Sequence, residues 1–532
     1  PTPTPPTPTP TPPTPTPAPT STPTSTPTPT SSPQPSPSPS PSSQTDSKSD
    51  RVVSSDQTQS PASTQGELSA TTNKISIVND PVYLLEEAFT KEFEDHFQRP
   101  ATAKIYTQKD VRDRIRQIEQ TTGIKAGVIY VKFQPVAVTT PETLCPAPSL
   151  KKKPNSQRDQ RLGTLRSEVS GATQEPSQQQ ENCLKTKNNQ LELLMISGEG
   201  EPIRKQVPSA NRANVLAVTQ EFQKALTNPK NVNTTSYLKS AQQLYRWIIA
   251  PLEAEFQAHK IKNLVFVMDS GLRSLPVAAL HDGKGFLVEH YSVSLVPSLS
   301  LTGSSYRDVR PLQVLAMGAS EFAEQAPLPG VKVELATITG QLWKGKSFLN
   351  DSFTIENFKA QRHLQSYGIV HLATHAEFKP GAPNNSYIQL WNRKLRLNEL
   401  EELQLSDPRV ELLVLSACRT ALGNKDAELG FAGSAFVAGV GSTLATLWYV
   451  NDRGALGLTT EFYHQLSQVS IKSQALQQAQ LAMIQGRVRI ENNQLYNSGK
   501  SVSLPSRSST STNLNLSHPY YWAAFTLVGQ PW

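Results

Sequence analysis

Three cysteines in 532 residues are too few for a disulfide framework. Cys145 and Cys183 flank a polar stretch and could pair if the protein were exported, which would leave Cys418 as the odd thiol. Reduced cysteines fit equally well, so the compartment stays open between cytoplasm and export. No apolar run reaches the roughly 18 residues of a membrane-spanning helix, and no signal peptide is present. Aromatic residues are missing from the basic segment 138–190, which carries eight Lys or Arg against five Asp or Glu. A single-strand nucleic-acid groove interleaves stacking rings with its cations, so this segment reads as a solvated insert and no nucleic acid is expected. Gly439 to Thr443 lacks the Lys-Ser/Thr pair of a phosphate loop and leads into a strand pattern, which argues against nucleotide binding.

What is abundant is proline, 43 residues of it, concentrated at the start. Residues 1–43 are almost entirely Pro, Thr and Ser, and the chain stays polar to residue 74, so 1–74 is expected to be a disordered, extended linker. Such a tract normally joins two parts. Because the chain opens at Pro1 inside it, a longer parent with upstream domains is expected. The remainder divides into a small α/β region, 75–236, interrupted by the polar insert 138–190, and a larger domain, 237–532.

In the small region Asp80 and Pro81 open an amphipathic helix with Leu85, Phe89, Phe93 and Phe97 on one face. A second helix spans 108–120. Strands at 127–133 and 191–197 read as a hairpin split by the insert. Residues 202–260 read as helical, with Val215 to Leu226 one helix and Tyr237 to His259 another, kinked at Pro251. The larger domain alternates strand and helix: strands at 263–269, 312–318 and 443–448, an antiparallel ribbon within 271–297, a helix over 461–485, a polar loop over 486–516 and a terminal strand. This pattern gives an α/β fold with a mainly parallel sheet and helices on both faces.

Two apolar runs within this alternation each end in a reactive side chain. YGIVHLATHAEF places His375 directly after an interior strand, and VELLVLSACRTALG does the same with Cys418. Side chains past the carboxyl ends of such strands gather along one sheet edge, where ligands bind in open α/β sheets. A thiol and an imidazole meeting there form a nucleophile and base pair suited to acyl transfer. The amides of Ala376 and Cys418 are then candidates for the oxyanion hole. Spacing alone leaves this open, since the two are 43 residues apart and Ala373, Thr374, Ser416 and Ala417 fit tight packing equally well. His371, inside the strand, reads as a satisfied core group.

HLATHAEF, LLVLSACRTALG, GLRSLPVAAL, PLPGVKVELATI, GVGSTLATLWYVND and HPYYWAAFTLVG together resemble a CHAT domain. That family comprises caspase-like, separase-related clan CD cysteine peptidases, frequent in bacteria and especially cyanobacteria. The resemblance covers Tyr237 to Trp532 and implies a caspase-haemoglobinase α/β fold, with His375 as base and Cys418 as nucleophile. Ala376 stands where the family commonly has Gly. It keeps the N–H, but a positive-φ turn there would be strained by its Cβ. Clan relatives often hold a basic substrate side chain in an acidic pocket, for which Asp426, Glu428 and Asp452 are the candidates.

The function implied is a cysteine endopeptidase acting on a protein or peptide substrate through a Cys-His dyad, with no metal or organic cofactor. The alternative is a catalytically inactive CHAT domain serving as an interaction module of a larger multidomain protein.

Overall fold

The computed structural model describes residues 80–100, 104–135, 189–303, 306–420, 422–498, 500–505 and 513–532, without the side chains of Ala417, Cys418 and Lys500. They belong to one unit, Gln65–Trp532. The linker expected at 1–74 and the insert up to residue 188 lie outside the described residues.

Asp80 caps the helix Pro81–Phe97 by accepting from the amides of Val82 at 2.8 Å and Tyr83 at 3.2 Å. Thr107 and Asp110 form a capping box at the start of the helix Gln108–Thr122. β1 (Ala126–Pro135), β2 (Asn189–Ser197) and β3 (Ile203–Asn211) follow as an antiparallel meander. The residues of β3 were expected to be helical. The free edge of β2 supplies main-chain partners that helical periodicity cannot anticipate, and Pro208 is tolerated because β3 is itself an edge.

β4 (Asn263–Met268) and β5 (Ser292–Val296) pair in parallel, and β4 also pairs in parallel with β1. The expected antiparallel ribbon within 271–297 is reduced to one bridge, His281 to Phe286, because two short 3₁₀ turns carry the chain back across the sheet. Next come β6 (Val314–Gly318), β7 (Gly345–Leu349), β8 (Ile369–Phe378), β9 (Tyr387–Gln389), β10 (Lys394–Arg396), β11 (Leu412–Thr420) and β12 (Ser442–Thr446). A separate sheet holds β13 (Arg489–Glu491), β14 (Gln494–Asn497) and β15 (Lys500–Ser503), and β16 (Phe525–Gly529) returns to the main sheet.

The main sheet runs β10-β9-β8-β11-β12-β16-β5-β4-β1-β2-β3, with β6 and β7 attached through β8. It is mostly parallel, as expected, but it holds two parallel blocks of opposite direction. β12 pairs antiparallel to β16, whereas β16, β5, β4 and β1 run parallel to one another. The carboxyl ends that matter for a site near β8 and β11 are therefore shared with β6, β7 and β12.

Both faces of the sheet are covered, and the alternation along β1 demonstrates it. Ile129, Val131 and Phe133 face the larger core with the helices that follow β3, while Val128 and Tyr130 face a second core with Phe89, Ile115 and Ile118 from the first two helices. β4 divides likewise, Leu264 and Phe266 against Val265 and Val267.

Three further expectations change. The helix from Tyr237 is broken into Leu238–Ile248 and Glu253–Ala258, with Pro251 in an intervening 3₁₀ turn, since proline cannot donate to the preceding helical turn. The helix over 461–485 is two helices, Asp452–Leu466 and Lys472–Ile484. The polar loop over 486–516 contains the β13–β15 sheet, because Val488, Ile490, Leu495 and Leu516 are buried in the larger core and Gly457, on the helix Asp452–Leu466, leaves room for them. Sparse apolar residues suffice once a helix face is there to receive them.

Candidate active site

β8 and β11 are central neighbours, paired in parallel from Leu412 opposite Ile369. Their apolar halves are buried on both faces, which fixes their position, and the small residues that follow permit close approach. At Gly318 on β6, an added Cβ would lie 2.5 Å from the Ala373 carbonyl oxygen, so only glycine lets β6 pack beside β8 there.

The register changes at the site. Leu415 stands opposite Leu372, yet Ala417 stands opposite His375, so β8 carries one more residue than β11 across this interval. Without that bulge Cys418 would pair with His375; with it, Cys418 pairs with Ala376 and sits one residue from His375 along the ladder. Both strands were expected to end just before the reactive residues. Instead β8 extends to Phe378 and β11 to Thr420, because β9 adds to β8 through Ala376 and Glu377 and keeps it extended. Ala376 is consequently absent from the positive-φ residues, and its Cβ meets no conformational penalty.

His375 is half-buried, and its ring is held on several sides. Nε2 lies 2.8 Å from the Ala326 carbonyl oxygen. The Phe322 ring centroid is 4.7 Å away and the Tyr449 ring stacks at 6.2 Å with a 27° interplanar angle. Phe322 and Ala326 belong to the loop that follows β6, which is closed by the Leu328 amide donating to Ser320 O at 2.9 Å and anchored by Asn350 Oδ1 accepting from the Ser320 amide at 2.8 Å. A carbonyl only accepts, so Nε2 carries the hydrogen and Nδ1 of the neutral ring is left as the acceptor.

Beneath the site lies a buried polar network that sequence reading missed in part. His371 is fully buried, as expected, with Nε2 at 3.2 Å from Glu334 Oε1 and Nδ1 at 3.3 Å from the Tyr463 hydroxyl. Ser416, two residues before Cys418, directs its hydroxyl to the other oxygen of Glu334 at 3.4 Å. Glu334 was the available signal: a lone carboxylate on an otherwise apolar helix face, within PLPGVKVELATI.

The three carboxylates considered for a pocket are each held by the scaffold. Asp426 accepts from the Gly381 amide at 2.9 Å, tying the loop after β8 to the helix Lys425–Ala432. Glu428 is fully buried and accepts from Ser274 Oγ at 2.6 Å and the Gly271 amide at 2.8 Å; burial pushes its carboxyl up despite those bonds. Asp452 accepts from the Gly330 amide at 2.7 Å, joining the helix Asp452–Leu466 to the start of the helix bearing Glu334.

The CHAT domain profile matches residues 238–530, more than half of the chain. No curated protein matches it. Among solved structures, two forms of the Saccharomyces cerevisiae separase–securin complex align: one at 10% identity and TM-score 0.42 over 88% of this chain and 34% of that chain, the other at 12% identity and TM-score 0.33 over 62% and 21%. The chain thus spans a fifth to a third of the separase chains. The complex of the pro- and mature domains of Porphyromonas gingivalis RgpB aligns at 8% identity and TM-score 0.34, over 59% of this chain and 76% of that chain. Among the described residues, no helix is long and apolar enough to cross a membrane.

Proposed function

This chain belongs to the CHAT domain family, and from that premise we propose that it is a cysteine endopeptidase whose nucleophile is Cys418 and whose base is His375. The observation that carries the reading is the nearness of the two positions at the same end of adjacent parallel strands, one residue apart along the ladder. The bond from His375 Nε2 to Ala326 supports it further, because it leaves Nδ1 as proton acceptor.

An unperturbed thiol, with pKa about 8.5, is mostly protonated at neutral pH, and proton transfer to Nδ1 generates the thiolate. The thiolate adds to the substrate carbonyl carbon, and the developing oxyanion is met by main-chain donors, for which the Ala376 and Cys418 amides are the candidates nearest the reacting groups. The imidazolium then protonates the leaving amine, releasing the first product and the acyl-enzyme. Neutral His375 next takes a proton from water, whose oxygen attacks the thioester, and returns it to the departing thiolate.

The test is digestion of a peptide library by the full chain and by its Cys418→Ala variant, with cut sites read by mass spectrometry. Cuts made by the first and absent from the second support the endopeptidase. Identical products, or none from either, would leave the family's non-catalytic interaction role as the better account.

A further inference from the structure

Beyond Ala376 and Cys418 the ends of β8 and β11 open on a cleft of about 610 Å³. Glu377, Phe378 and Lys379 line it from β8 and the residues after it, Arg419 and Thr420 from the neighbouring β11, and Trp448 adds an apolar side. Arg419 directly follows Cys418, so the β11 lining begins one Cα spacing, about 3.8 Å, from the nucleophile's backbone.

The charges in the cleft do not cancel. Glu377 Oε2 lies 2.8 Å from Lys379 Nζ, and Lys379 also stands over the Tyr387 ring at 5.0 Å. Burial pushes the Glu377 carboxyl up, but Lys379, Tyr387 and Arg419 together hold it below its ordinary range. Glu377 is therefore ionised at neutral pH and neutralises Lys379. Arg419 is exposed and stands opposite Glu377 on the ladder, so the single carboxylate among the described lining residues faces two cations and the cleft keeps a net positive charge. Next on the same strand, Thr420 is only 4% exposed and its hydroxyl has no hydrogen-bond partner among the described residues. A buried hydroxyl without a partner is costly unless something supplies the missing bond.

We infer that this cleft receives an acidic side chain of the substrate, adjacent to the scissile bond, with Arg419 as the specificity residue and Thr420 as a second polar contact. The inference rests on the peptidase reading for the scissile bond, though not for the binding itself. A guanidinium offers a planar fork that matches a carboxylate, and a neutral amide of the same shape forfeits the charge assistance. A lysine side chain would meet Arg419 as a like charge, and the one carboxylate in the cleft is already paired.

The test separates binding from cleavage. The full-length Cys418→Ala protein is titrated calorimetrically with capped hexapeptides identical except for one central residue, Glu, Gln or Lys. The Glu peptide is expected to bind about ten- to a hundredfold more tightly than the Gln peptide, with Lys weakest. Adding Arg419→Gln should erase that order without moving the thermal midpoint, because the side chain is exposed. Equal binding of Glu and Gln, preference for Lys, or no binding of the Glu peptide at millimolar concentration would overturn the inference. Digestion by the wild-type chain supplies the second arm. Acid-selective binding without Cys418-dependent cleavage would remove the peptidase and keep the pocket; Cys418-dependent cleavage without acid-selective binding would do the reverse.

Discussion

His375 Nε2 and the main-chain oxygen of Ala326 stand 2.8 Å apart, joining a strand residue to a loop 49 residues earlier. This contact selects one tautomer. Nitrogen-15 spectra of histidine-labelled protein, above the imidazole's titration range, should assign the His375 hydrogen to Nε2. A resonance pattern with Nδ1 protonated would remove Nδ1 as the base and with it the proposed route of the thiol proton.

The pair of Glu334 and His371 is buried on both sides, with 3.2 Å between Oε1 and Nε2. Removing one partner leaves the other without its counterpart, and Glu334→Ala is expected to cost about 1–3 kcal/mol in urea unfolding. The double variant Glu334→Ala/His371→Ala should cost clearly less than the sum of the single changes. Strict additivity would mean that the two groups do not stabilise one another.

Asp426 illustrates a carboxylate whose apparent role changes once its partner is known. Its oxygen accepts from the Gly381 amide at 2.9 Å, so Asp426→Ala should lower stability by about 1 kcal/mol through loss of that bond. Cleavage after basic residues, if present, should keep its rank among substrates. A selective fall in kcat/KM for Arg and Lys substrates would restore Asp426 to a pocket.

Lys472 is fully buried beside the main-chain oxygen of Trp532, and burial pushes its ammonium down to about 8 while Glu411 opposes the shift. The unfolded chain keeps that proton up to the ordinary value of 10.5. Between these values the unfolded state binds more protons than the folded one, so this group's contribution to stability rises with pH across the window and is lost as pH falls through about 8. The stability of the wild type relative to Lys472→Met should therefore increase over that range. A difference independent of pH would show that Lys472 titrates alike in both states.

Some of this architecture could be read along the chain because it is written in short-range patterns. Asp80 and Pro81 mark a helix start by local chemistry, and the apolar runs before His375 and Cys418 mark interior strands by length and composition. Residues 203–211 and 489–503 were misread for the complementary reason. They contain few apolar residues, and what makes them strands is a free edge of β2 in one case and the apolar face of the helix Asp452–Leu466 in the other.

Composition and periodicity were enough for the α/β class, the mostly parallel sheet and the two candidate reactive residues, since each depends on a residue and its near neighbours. Tertiary structure decided the rest: the reversal of strand direction between β12 and β16, the bulge that sets Cys418 opposite Ala376, the carbonyl that holds His375, and the gathering of Glu377, Lys379 and Arg419 in one cleft. These depend on hydrogen bonds and ion pairs between segments distant in sequence, and such partners are chosen by packing, which local pattern does not encode.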